Sequence, residues 1–192
     1  MRGDLTKRSR AIRERIDRWV GIPCGIGIGH TKTLAKLANH IAKSAERKPG
    51  SYPIELAQVC NLTTLPAQDL DDVLAATQVE EVWGVGRRLA AQLHEEGVHT
   101  VLDLARMDPA TVRRRWSVVL ERTVRELQGM HCIDLQDAPA PKKEIACTRS
   151  FGTAITELSQ LIEAVSEFAS RAAEKARKQG SLASQVMVFA HT

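Results

Sequence analysis

The sequence predicts a mixed α/β fold that is mainly α, and three observations carry that expectation. Apolar residues recur at helical spacing along most of the 192 residues. A short glycine-punctuated run at residues 22–28 alternates apolar and small residues with the period of a strand. Residues 80–97 read as a helix, a tight Gly84-Val85-Gly86 hairpin and a second amphipathic helix that stops at Gly97.

In chain order, Leu5, Ile12, Ile16 and Trp19 share one face of a helix over residues 5–19, and basic residues take the other. Gly21 ends it. Next, Ile22, Cys24, Ile26 and Ile28 alternate with Pro23, Gly25 and Gly27, which predicts a strand with one bare face where something packs closely. Gly29-His30-Thr31-Lys32-Thr33 then turns into a helix with Leu34, Leu37, Ala38, Ile41, Ala42 and Ala45 inward. This turn is not a P-loop, because Thr31 stands where that motif needs glycine, nor a dinucleotide fingerprint, because His30 takes its last glycine position. Lys32 nevertheless stands at a helix N-terminus, a place that suits a triphosphate as well as it suits a solvated lysine. A short strand is expected at 52–56, and a small helix at 66–76 with Leu70, Val73 and Leu74 inward. Its Asp71 and Asp72 diverge around the helix and read as a solvated acidic face.

The hairpin is the stretch with the most chemistry. Free backbone N–H groups at Gly86, the helix dipole and the charges of Arg87 and Arg88 together make an anion site suited to a nucleic-acid phosphate. An ordinary turn between packed helices has the same pattern, and the two arginines tip the reading toward DNA. Thr100, Asp108-Pro109 and Ser117 then cap three short helices, the last with Val118, Val119, Val124 and Leu127 inward and Gly129 at its close. Residues 138–143 form a proline-stiffened linker. A strand at 144–151, a helix at 156–179 and a strand at 182–190 complete a β-α-β unit whose sheet is not whole.

Composition sets bounds. Hydrophobic content of 43% and charged content of 26% are those of an ordinary globular protein. The net charge of +4 is mild, but positive residues crowd into residues 7–18, 87–88, 113–115 and 171–178. Cys24, Cys60, Cys132 and Cys147 are scattered without a C-x-x-C pair, as expected of reduced thiols and not of a zinc site. With no run of 18 apolar residues and no signal-like start, the chain is expected to be cytoplasmic, with no membrane partner.

Several runs resemble the Y-family translesion DNA polymerases, in the form of their UmuC branch. They are Gly25-Ile26-Gly27-Ile28 with Thr31-Lys32-Thr33-Leu34-Ala35-Lys36-Leu37-Ala38-Asn39, Val79-Glu80-Glu81-Val82-Trp83-Gly84-Val85-Gly86-Arg87-Arg88, the run from Val118 to Leu127, and Arg149-Ser150-Phe151-Gly152. The resemblance implies a partial αβα palm remnant at 1–60, an all-helical thumb with a helix-hairpin-helix at 61–137, and a linker with a partial βαβ little finger at 138–192. It implies that Lys32 meets the nucleotide triphosphate. It also implies that Gly84, Val85, Gly86, Arg87 and Arg88, with Thr148, Arg149 and Ser150, lie on DNA. UmuD-type and RecA partners in the bacterial SOS response, and Mg2+ for an intact enzyme, follow from the same source. The Ser-Ile-Asp-Glu run that holds the metals in the family is absent, so no catalytic or metal-binding residue is expected here. The chain is thus expected to be a DNA-binding portion of such a polymerase, inactive alone. A non-catalytic helix-hairpin-helix module, or a truncated product without function, stays open beside it.

Overall fold

The computed structural model describes residues 4–134 and 141–190. It is mixed α/β and predominantly helical, with one two-stranded sheet among the described residues. The chain divides into two compact units, Met1–Leu135 and Gln136–Thr192.

The first unit opens with α1 (Leu5–Val20), started by the Asp4 carboxylate, which accepts from the N–H groups of Thr6 and Lys7, and stopped by Gly21 at φ 68. Strand β1 (Ile26–Ile28) pairs in parallel with β2 (Val59–Asn61), Ile26 opposite Val59. Helix α2 (Lys32–Arg47) is the crossover between them, and its whole predicted stripe is buried. The bare face predicted for the glycine strand is where α2 lies. A Cβ on Gly27 would sit 2.1 Å from the backbone nitrogen of Asn39 and 2.3 Å from the carbonyl oxygen of Ala35.

Three expectations are corrected in this unit. The strand is only 26–28, because its partner is three residues long and Pro23 has no N–H to offer a ladder. Residues 52–56 are not a strand: Pro53, at φ −52, starts a 3-10 turn at Ile54–Leu56, and the strand comes later, at β2. The apolar stripe of α1 is not buried, with Leu5 54% and Trp19 75% exposed. Its polar edge docks instead. Asn61 Nδ2 donates to Thr6 Oγ1 (3.0 Å), and Arg13 Nε donates to the Cys24 carbonyl (2.9 Å) while pairing with Glu46. A hydrophobic stripe marks the face that could bury; here the docked face is the one that satisfies polar groups of its neighbours.

Short helices follow: α3 (Ala67–Ala75), α4 (Arg87–Glu95), α5 (Val101–Ala105), α6 (Pro109–Arg115) and α7 (Val118–Leu127). Thr100 and Asp103 close a reciprocal capping box, Asp108 accepts from the Thr111 N–H (2.8 Å), and Ser117 from that of Leu120 (3.1 Å). In α7 the predicted inward set is partly wrong. Val118 and Val119 face solvent, whereas Leu120 joins Val124 and Leu127 in the core, with Glu121, Thr123 and Glu126 also buried. That rotation lets α7 turn one side to α6 and another, polar side to α2. One apolar core runs unbroken from Leu34 of α2 through Val85 and Leu93 to Leu127 of α7.

The second unit is built on α8 (Leu158–Gln179), ended by Gly180 at φ 68. Gln179 clasps the backbone of Lys142 by two 2.9 Å hydrogen bonds, and Phe151 stacks near Phe168 with centroids 6.4 Å apart. The strands expected at 144–151 and 182–190 are not formed among the described residues. Alternation supplies a face, but two strands alone make a marginal sheet, and α8 buries no residue that could cover one. Of the predicted linker, residues 138–140 lie outside the described residues.

Candidate nucleic-acid interface

The hairpin is set by two valines and one glycine. A 3-10 turn at Val79–Glu81 is tied to the following loop by the Val79 N–H donating to the His99 carbonyl (2.9 Å). Val82 and Val85 then turn inward into the core, and the Val85 N–H closes on the Val82 carbonyl (2.9 Å). Gly84 takes the left-handed region at φ 94, which a side chain would resist. Gly86 does not, contrary to the equal role expected of both glycines. At φ −87 and ψ 170 it is an extended N-cap. The arm before the hairpin also differs from the expected helix, since α3 ends at Ala75 and only the 3-10 turn leads in.

Gly86 leaves the start of α4 open. Helices α1, α2, α5, α6 and α7 each have a side-chain cap, whereas α3, α4 and α8 have none. The first N–H to find an acceptor is that of Ala90, on the Gly86 carbonyl. Gly86, Arg87 and Arg88 are all exposed. Among the described residues neither arginine forms an ion pair. The other basic clusters are partly neutralised: Arg113 pairs with Glu121, Arg115 with Glu96, Arg171 with Glu167 and Lys178 with Glu174. Of the positive runs in the sequence, the one at the hairpin keeps its charge beside unmet N–H donors, which is what binding an anion requires.

Lys32 lies elsewhere on the same unit. Its Nζ donates to the Asp134 carbonyl at 2.5 Å. The anion at the start of α2 is the protein's own Glu126 carboxylate, fully buried, to which the Thr33 N–H (2.9 Å) and Thr33 Oγ1–H (2.8 Å) donate. Its other oxygen takes the N–H groups of Cys132 (3.2 Å) and Ile133 (2.9 Å). Burial works to raise its pKa, but these donors outweigh it and hold the carboxyl below the usual range. Sequence reading missed Glu126, since nothing in an α7 glutamate signals a partner 93 residues away.

Thr148, Arg149 and Ser150 belong to the second unit, exposed and outside any helix or strand. Asp71 meets Arg106 at 2.8 Å on the surface, as a solvated acidic residue does. Among the described residues no three His, Cys, Asp or Glu side chains gather so as to hold a metal ion. Cys60 is buried, its thiol pushed up to about 12 by desolvation, which keeps it unreactive. No helix among the described residues is long and apolar enough to cross a membrane.

The impB/mucB/samB family C-terminal domain model matches residues 142–192. Protein SamB of Salmonella typhimurium is 40% identical over 189 residues, covering 98% of this chain and 43% of SamB. Protein UmuC of Salmonella typhimurium LT2 matches with the same identity and coverage. DNA polymerase IV 1 of Halalkalibacterium halodurans is 30% identical over 110 residues, 57% of this chain and 23% of that polymerase. The chain spans about two fifths of the length of SamB and UmuC.

Proposed function

From a chain that belongs by these sequence matches to the UmuC/ImpB/MucB/SamB group of Y-family DNA polymerases, we propose a DNA-gripping portion of an error-prone translesion polymerase. Its setting would be DNA repair and SOS mutagenesis in the bacterial cytoplasm. The observation that carries this reading is the uncapped, exposed start of α4 with the unpaired Arg87 and Arg88 beside it. In this reading residues 1–60 are palm, 61–137 thumb and 138–192 little finger. The hairpin takes backbone phosphates, and Thr148, Arg149 and Ser150 add a second, exposed contact strip. Lys32 would reach a triphosphate only by releasing the Asp134 carbonyl. UmuD-type and RecA partners are proposed on family resemblance.

The test is a duplex titration at several salt concentrations. Binding is expected to be independent of sequence and to weaken steeply with salt, because phosphate contacts release counterions. Replacing Arg87 and Arg88 together by alanine should weaken binding alike on unrelated duplexes and lower the salt slope by about two, roughly one per lost contact. Unchanged affinity and slope would leave the hairpin a structural turn.

A second reading, a non-catalytic DNA- or partner-binding module, draws on the lack of a carboxylate cluster among the described residues. Two-metal phosphoryl transfer needs such a cluster on both reacting oxygens. Primer extension by the isolated chain is therefore expected to be nil with Mg2+ or Mn2+. Incorporation of a single nucleotide by a rigorously purified sample would contradict that.

A further inference from the structure

Buried Val82 and Val85 anchor the inner side of the hairpin, but its outer arm, Trp83-Gly84, is exposed and carries the one residue there with a left-handed backbone. Two side chains of α2 reach that arm. The Lys36 ammonium lies 5.1 Å from the centroid of the Trp83 ring, and His40 Nδ1 lies 3.1 Å from Glu81 Oε2. Lys36 and His40 are four residues apart, so they stand one above the other on the same side of a helix whose opposite side is locked in the core. On the far side of the arm, His94 Nε2 of α4 lies 3.5 Å from Glu80 Oε2. The adjacent glutamates thus lie beside histidines of two different helices, with no hydrogen bond formed to either, and a cation stands over the face of Trp83.

We infer that Lys36, with His40 behind it, is a positioning residue for the phosphate site, and that Trp83 is the handle by which α2 sets the hairpin. The inference rests on the hairpin being the phosphate grip. Its consequence is that α2, which carries Lys32 at its first turn, fixes the hairpin's outer arm through the same side of the helix. A rigid helix would then register the Lys32 end of the molecule against the DNA-facing loop.

Lys36 is exposed and positive, so it could also touch phosphate directly. The two roles separate in a double-mutant cycle on the full chain, read by duplex binding across a salt series, with thermal melts confirming that each variant is folded. For a positioning role, Lys36→Met and Trp83→Leu each weaken binding about three- to tenfold, and the double variant is no weaker than either single one. Lys36→Arg and Trp83→Phe restore affinity, since both keep a cation over a ring. The salt slope stays near that of the parent. A direct phosphate contact would instead lower the slope by about one in Lys36→Met and leave Trp83→Leu unaffected, which would overturn the inference. Loss of binding in the Arg87/Arg88 double variant with no change in Lys36→Met or Trp83→Leu would spare the hairpin reading and sink the positioning role. No loss in the arginine variant would remove both.

Discussion

Replacing Gly27 by alanine is expected to destabilise the first unit by about 3 kcal/mol, the upper end of what overpacking costs. The new Cβ would lie 2.1 Å from the Asn39 nitrogen, 2.3 Å from the Ala35 oxygen and 2.7 Å from the Ala38 carbonyl carbon. All three are backbone atoms in the middle of α2, so no rotamer change relieves the clash. Either the helix moves off the sheet or β1 leaves β2. Moving the helix would open the contacts of Leu34, Leu37 and Ile41, which lie in the common core. Gly25→Ala is the internal control. Its Cβ would meet Lys43 Cγ at 2.9 Å, on a flexible side chain that can swing away, and should cost under about 1 kcal/mol. Trp19, Trp83 and Trp116 are the protein's three tryptophans, and all lie within Met1–Leu135, so urea melts followed by tryptophan fluorescence report that unit alone. Equal midpoints for the two variants would mean that α2 is not seated on the glycine strand as described.

The same glycine face shows what was legible in the sequence. A strand whose alternate positions are glycine announces a close neighbour without naming it, and the neighbour is the next helix in the chain. Caps were legible for the same reason: Thr100, Asp108 and Ser117 act on N–H groups three residues away, so a local pattern holds all the information. What failed was the reading of faces. The stripe of α1 and the first turn of α7 were each apolar enough to bury, and each stays in solvent because a polar requirement elsewhere fixes the helix rotation. The Arg13 bond to Cys24 and the Glu126 bonds to Thr33 span 11 and 93 residues, beyond any periodicity. At the hairpin, Gly84, Arg87 and Arg88 could be found from the turn chemistry alone. Lys36 and His40 could not be tied to Trp83 and Glu81 until α2 was seen beside the hairpin, although their four-residue spacing marked them as one side of a helix.

Glu126→Gln is expected to destabilise the first unit by about 2–4 kcal/mol at neutral pH, through donors left facing a donor in a buried place. One carboxylate oxygen takes both Thr33 donors and the other takes the N–H groups of Cys132 and Ile133. A glutamine amide can satisfy one pair with its oxygen but must turn its NH2 toward the other. The Thr33 hydroxyl can rotate to accept; the backbone N–H groups cannot. The loss should also depend on pH in a defined direction. A carboxyl whose folded pKa lies below its unfolded value of about 4.3 stabilises the fold fully above that value, and the contribution fades as pH falls through the folded value. Parent and Glu126→Gln stabilities should therefore be furthest apart near pH 7 and draw together as pH falls below the unfolded value and through the depressed folded one, where the parent carboxyl is itself protonated and has become a donor. Because Glu126 joins the end of α7 to the start of α2 and to residues 132–133, the variant should also speed hydrogen exchange at Thr33, Cys132 and Ile133 before it affects α5 or α6. A gap between the two proteins that stays constant from pH 7 to pH 3 would mean that glutamine fails by shape and not by charge. The buried carboxylate would then not be what fastens α7 to α2.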